Sequence, residues 1–245
     1  MSPYYLSADR IESMKARQLH KWDVSPAEAM SIQNKLRRQV IMENHVKDVK
    51  RIAGVDISIK STTAIAAIVI ISFPELKPLE QYVVTKKVEF DYIPGLLSFR
   101  ESPSIIDAFE KVRQEPDLIM VDGQGIAHPR RFGIAAHLGL LLNKPSIGCA
   151  KSLLCGKYDE PSEKAGSFAE LHDKDEVIGA VLRTKDKTNP MYISIGHKID
   201  LPTAISYAMK CCQGYRLPEP TRLADLAAGG KDVIRPVSLQ AQLFS

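Results

Sequence analysis

Ile52-Ala53-Gly54-Val55-Asp56-Ile57-Ser58-Ile59 is the stretch on which the fold turns. It reads as a buried strand interrupted by a single carboxylate. Lys60-Ser61-Thr62 then forms a short turn, and residues 63–73 make a second, nearly all-apolar strand closed by Pro74. Residues 81–90 (QYVVTKKVEF) read as a third, more polar strand suited to a sheet edge. Connections this short make the three an antiparallel meander.

Downstream the pattern alternates. A loop, Asp91-Tyr92-Ile93-Pro94-Gly95, leads to a helix expected from 104 to 114, then to the apolar strand 118–122, which ends in Gly123-Gln124-Gly125. A helix over 132–142 and a strand over 145–150 follow. Strand, helix, strand, helix, strand implies parallel crossover units. Residues 177–184 and 191–196 read as a further strand pair, with helices over 202–211 and 220–228. Meander followed by parallel βαβ units, with helices on both faces of a mixed sheet, is the ribonuclease H-like α/β arrangement.

Upstream, Ser25-Pro26-Ala27-Glu28 is a capping box with proline at the first helical position. Ala29, Ile32, Leu36 and Val40 recur at helical spacing, so one face of this helix docks. The expected organisation is a helical extension over 1–50 packed on the core, a ribonuclease H-like domain over 51–230 and a tail over 231–245.

The 245 residues carry 33 Lys+Arg against 29 Asp+Glu, a net charge of +4. With 44% hydrophobic and 25% charged residues the chain is globular, not disordered, collagenous or coiled coil. Residues 1–51 hold 10 Lys+Arg and 6 Asp+Glu, so the whole cationic excess lies there. A polyanionic partner and a solvated helix face explain it equally. The longest apolar run, 64–71, is far below the roughly 18 residues of a membrane helix, and no signal-type segment opens the chain. A cytoplasmic monomer with no membrane partner is expected. Cys149, Cys155, Cys211 and Cys212 form no C-x-x-C pair and read as reduced structural thiols.

Asp56 interrupts one apolar strand and Asp122 ends another. A carboxylate in a buried strand costs several kcal/mol unless it is paired or metal-bound. Two on neighbouring strands could face one Mg²⁺, a hard ion that takes oxygen ligands. Alone, either could be a turn former or a helix cap. Glu101 and Asp225 read equally as capping or surface residues, and Lys151 as an electrophilic lysine after a strand or a surface one. Gly123 and Gly125 allow a close backbone approach or a plain turn. His128-Pro129-Arg130-Arg131 suits phosphate at a helix start or a solvated loop. Tyr92-Ile93-Pro94 is a rigid apolar tip that either wedges between bases or packs on the core. Neither a complete dinucleotide fingerprint nor a phosphate loop is present.

Taken together, Gly54-Val55-Asp56-Ile57-Ser58, residues 92–101 (YIPGLLSFRE), residues 121–130 (VDGQGIAHPR), Gly148-Cys149-Ala150-Lys151-Ser152, residues 192–197 (YISIGH) and Pro218-Glu219-Pro220-Thr221-Arg222 resemble the endonuclease V family, in the family's order. The resemblance implies a Mg²⁺-dependent nuclease, with Mn²⁺ as a substitute. It would recognise deoxyinosine in DNA, or inosine in RNA, and cut the second phosphodiester bond on the 3′ side. It also implies Asp56 and Asp122 as metal ligands, Glu101 as a third acid, Asp225 as completing the site and Lys151 near the scissile phosphate. Tyr92 matches the wedge, with Ile93 and Pro94 beside it. Leu97, Gly123, Gly125 and His128 lie on segments that form or flank the base pocket, with Arg130 next to them. Three positions depart from the usual pattern: Asp91 stands for proline, Gln124 for histidine or asparagine, and Ile59 for phenylalanine. A non-cutting inosine reader and a structure-selective nuclease of the same fold are the alternatives.

Overall fold

The computed structural model describes residues 14–234. The ends of the expected extension (1–13) and tail (235–245) lie outside the described residues. Eight strands form one sheet: β1 (Arg51–Lys60), β2 (Thr63–Ser72), β3 (Pro78–Lys87), β4 (Leu118–Val121), β5 (Ser146–Ala150), β6 (Phe168–Asp173), β7 (Glu176–Leu182) and β8 (Met191–His197). Their order is β3-β2-β1-β4-β5-β8-β7-β6. The meander is antiparallel, and β1, β4 and β5 are parallel neighbours. The mixed ribonuclease H-like sheet read from the sequence is the one observed.

Strand alternation divides the core. Ile52, Ala67, Val69, Ile71, Leu118, Met120, Ile147 and Cys149 face one side, against α4 (Leu201–Lys210) and α5 (Glu219–Ala228). Ala53, Val55, Ala66, Ile68, Ile70, Ile119 and Val121 face the other, against α2 (Leu97–Phe109) and α3 (Ile134–Leu142). Because β1, β2 and β4 are covered on both faces, they read as near-continuous apolar runs.

The N-terminal helix α1 (Pro26–Leu36) starts as its capping box requires: the Ser25 side chain accepts from the Glu28 N–H, and the Glu28 carboxylate accepts from the Ser25 N–H. Ala29, Gln33 and Leu36 are its buried residues. Ile32 is only half-buried, and Val40 lies beyond the helix yet still packs on the core. Leu36 joins Phe132, Ala136 and Leu140, while Ala29 joins Leu96 and Phe99.

Three elements differ from the sequence reading. The third strand begins at Pro78, three residues early, because its register follows β2 and not its own weak alternation. The helix expected from 104 begins at Leu97 with Pro103 inside it. Proline there reads as a helix start, since the residue before it disfavours the helical region; packing of Phe99, Ile105 and Phe109 overrides that preference. Strand β6 was not foreseen. Only Leu171 of its six residues is buried, so its pairing to β7 is written in β7 and not in its own pattern.

Candidate active site

Parity along the strands decides where the chemistry gathers. Ile52 pairs with Leu118 and Gly54 with Met120, and the Asp122 N–H donates to the Val55 carbonyl at 2.9 Å. Asp56 and Asp122 therefore continue the row of Ile52, Gly54, Leu118 and Met120, on the α5 side of the sheet. Lys151 continues the row of Ile147 and Cys149 on β5 onto the same side. Helix α5 brings Asp225 to meet them. Carboxylate oxygens of Asp56, Asp122 and Asp225 lie within 4.8 Å of one another. Lys151 Nζ reaches Asp122 Oδ2 at 2.6 Å and Asp225 Oδ1 at 2.8 Å.

The electrostatics are those of a site short of positive charge. Burial, and then the charge of Asp122, push the Asp56 carboxyl up to about 7. Burial, and then Asp56, push Glu101 up to about 8. Burial also raises Asp122, against the pull of Lys151. For Lys151, burial opposes the charge, but the hydrogen bonds and charges of Asp122 and Asp225 outweigh it and raise the ammonium. One lysine does not neutralise three clustered carboxylates with a fourth nearby. An all-oxygen, anionic donor set of this kind fits a hard divalent cation.

Raised carboxyl values fix a sign. Protonation of Asp56 and Glu101 favours the fold, so their contribution is complete below about pH 4, the ordinary carboxylate range, and is lost as pH rises through 7 to 8. Melting temperature in chelator should fall between pH 6 and pH 8.5, and excess Mg²⁺ should restore more of it at the higher pH. Thermal scans at the two pH values with and without Mg²⁺ check this; a Mg²⁺ gain that shrinks with pH would contradict it.

Two contacts missed by sequence reasoning hold the cluster in place. A Cβ on Gly54 would fall 1.8 Å from the Pro220 carbonyl oxygen, so only glycine lets the first turn of α5 sit directly on β1. Arg216 Nη2 donates to the Lys151 carbonyl (2.5 Å) and the Pro190 carbonyl (2.9 Å), bracing the backbone that carries the lysine. No local pattern marks Arg216, because its partners are distant carbonyls.

A pocket of about 120 Å³ adjoins the cluster, lined by Tyr92, Ile93, Pro94, Leu97, Ser98, Gln124, His128 and Leu154 among others. Three chain segments serve both places. Leu97 and Ser98 precede Glu101 on α2, Gln124 follows Asp122, and Leu154 follows Lys151. The rim is held by the Gly95 carbonyl, which accepts from Gln33 Nε2 (3.0 Å), His128 Nε2 (3.0 Å) and Arg130 Nη2 (2.6 Å). His128 Nδ1 accepts from the Arg130 N–H, so the ring is the neutral Nε2–H tautomer; burial and then Arg130 lower it to about 4. On this braced loop Tyr92 is 69% exposed.

The arginines differ from the phosphate-binding alternative. Arg130 is engaged by Gln33 and Gly95, and Arg131 pairs with Asp173 and Glu176. The glycines serve the chain's own packing: Gly125 meets the Ile195 carbonyl, and Gly123 meets the Ile134 side chain. Gln33, not foreseen, links α1 to this rim; a polar residue on the docking face of a helix was its only signal.

An endonuclease V family model matches residues 34–226. The chain belongs to the endonuclease V family. The endonuclease V of Nostoc sp. is 50% identical over 221 residues, covering 89% of this chain and all of that one. The crystal structure of Streptomyces avermitilis endonuclease V superposes with a TM-score of 0.81 at 33% identity, covering 94% of this chain and 99% of that one. Ciona intestinalis endonuclease V, solved in complex with a 24mer DNA containing an inosine followed by a ribo-adenosine, superposes with a TM-score of 0.72 at 28% identity, covering 83% and 95%. Membership of endonuclease V makes the chain a nuclease. No helix among the described residues is long and apolar enough to cross a membrane.

Proposed function

We propose that this endonuclease V is a divalent-metal-dependent enzyme acting on nucleic acid that carries hypoxanthine, the deamination product of adenine. Hydrolysis of the second phosphodiester bond 3′ to the lesion would leave 3′-hydroxyl and 5′-phosphate ends and begin its repair. The carrying observation is the sharing of three chain segments between the acidic cluster and the pocket. A base held in that pocket keeps the backbone beside it within reach of the carboxylates.

Asp56 and Asp122, with Asp225, would hold Mg²⁺, or Mn²⁺ in its place. When bound, the ion supplies Lewis-acid polarisation of the phosphate. Lys151 offsets charge on the phosphate. Glu101, raised in the metal-free chain by burial and by Asp56, would orient or deprotonate the attacking water. Tyr92, on its braced tip, fills the gap left by an everted base, with Ile93 and Pro94 behind it. Leu97 walls the pocket, Gly123 and Gly125 flank the Gln124 that lines it, and His128 and Arg130 hold its rim. Inosine pairs weakly, so its eversion cost is low. A cytoplasmic monomer acting on DNA, or on RNA containing inosine, completes the reading.

End-labelled single strands of DNA and RNA, each with one inosine, test it. With Mg²⁺ each should give one product, ending one nucleotide beyond the lesion; inosine-free controls should stay intact. Binding without cutting would favour a reader, and equal cutting of controls a structure-selective nuclease.

A further inference from the structure

The pocket's polar side chains are nearly all committed. Gln33 Nε2 donates to the Gly95 and Phe132 carbonyls, and its Oε1 accepts from Arg130. Both His128 nitrogens are engaged by Gly95 and Arg130. Among the described residues, four buried side-chain polar atoms lack a partner, and two of them belong to this pocket's lining: Gln124 Oε1 and Ser98 Oγ. A buried acceptor without a donor is costly, so each orphan in a native site needs a reason.

Gln124 cannot relieve itself by turning over. Its Nε2 donates to the Ser152 carbonyl at 3.0 Å, and a flipped amide would set two oxygens against each other. The residue is 9% exposed, so its side chain is held among protein atoms. Gln124 and Ser98, on two walls of the pocket, thus each carry a polar atom that the rest of the chain leaves unpaired.

We infer that Gln124 is a specificity-determining residue whose Oε1 accepts a hydrogen bond from N1–H of an everted 6-oxopurine. The inference rests on the proposed function and deepens it. Hypoxanthine carries a proton on N1 and an acceptor at O6. Adenine carries a lone pair on N1, which would face the Gln124 oxygen with no hydrogen between them. Both acceptors would then be buried unpaired, the arrangement by which a hydrogen-bonding site rejects an analogue most strongly. Guanine also has N1–H, so this contact separates 6-oxo from 6-amino purines and not hypoxanthine from guanine.

The test uses the whole chain with Mg²⁺ and single-stranded DNA, which removes differences in base-pair opening. One strand carries deoxyinosine and the other N1-methyl-deoxyinosine, which keeps O6 but replaces the N1 proton with a methyl. Wild type should cut the inosine strand about 100-fold faster or more. Gln124→Ala should lose about 10- to 100-fold on inosine and gain on the methylated strand, so the ratio collapses. A merely structural role would slow both strands alike and leave the ratio unchanged, which overturns the inference. So does a wild type that cuts both equally, an outcome that needs no variant. A wild type that cuts neither strand sinks the nuclease reading instead.

Discussion

Asp56→Asn should lower single-turnover cleavage by about a thousandfold or more while making the metal-free protein more stable at pH 8. The first effect follows from the donor set. An amide offers one neutral oxygen where the cluster needs an anionic one, and several kcal/mol of transition-state stabilisation by a bound cation are at stake. The second follows from the cost of the native charge. Asp56 is raised to about 7 by burial and by Asp122, so at pH 8 the fold carries a carboxylate it disfavours. The amide removes that charge. Below about pH 4, where Asp56 is protonated in the folded and the unfolded chain alike, the stability gain should vanish. Cleavage time courses with Mg²⁺, and melting curves in chelator at both pH values, measure the pair of effects. Unchanged cleavage would end the metal-site reading. A melting temperature that falls at pH 8 would mean that the carboxylate is held for structure and not for chemistry.

Gly54→Ala should damage both stability and activity through one movement. The added Cβ meets the Pro220 carbonyl at 1.8 Å, and backbone on both sides leaves no flexible side chain to yield. Overpacking of this kind costs about 1 to 3 kcal/mol. In a domain of this size that corresponds to a melting temperature lower by roughly 2 to 12 °C. Because α5 carries both Pro220 and Asp225, relief of the clash moves a carboxylate of the cluster. A misplacement near 1 Å is enough to cost about a hundredfold in rate. Melting curves and cleavage rates of this one variant suffice; a folded protein with wild-type activity would show that the close seating of α5 on Gly54 is not what places Asp225 for the reaction.

Most of the sheet was legible because both of its faces are covered. Strands such as β1, β2 and β4 must be apolar at every position, and a lone aspartate in such a run has nowhere to hide. Asp56 and Asp122 could be singled out for that reason. The capping box of α1 was equally plain, since a cap is satisfied within four residues. Edge strand β6 and the start of α2 were not, because a partner strand and a packed phenylalanine settle them.

The amino-acid pattern alone determined a mixed α/β sheet with two carboxylates on adjacent strands, and its motifs carried a likeness to a nuclease family. What it left to the tertiary structure was convergence. Asp225 and Glu101 reach the cluster on helices whose approach depends on packing. Arg216 braces a loop from 65 residues away. Gln33 and Arg130 meet over the Gly95 carbonyl, and the orphaned oxygen of Gln124 exists only once every neighbour is in place. The division has one cause. Periodicity and caps are decided by residues a few positions apart, whereas charge clusters and unpaired acceptors are properties of groups that only folding makes neighbours.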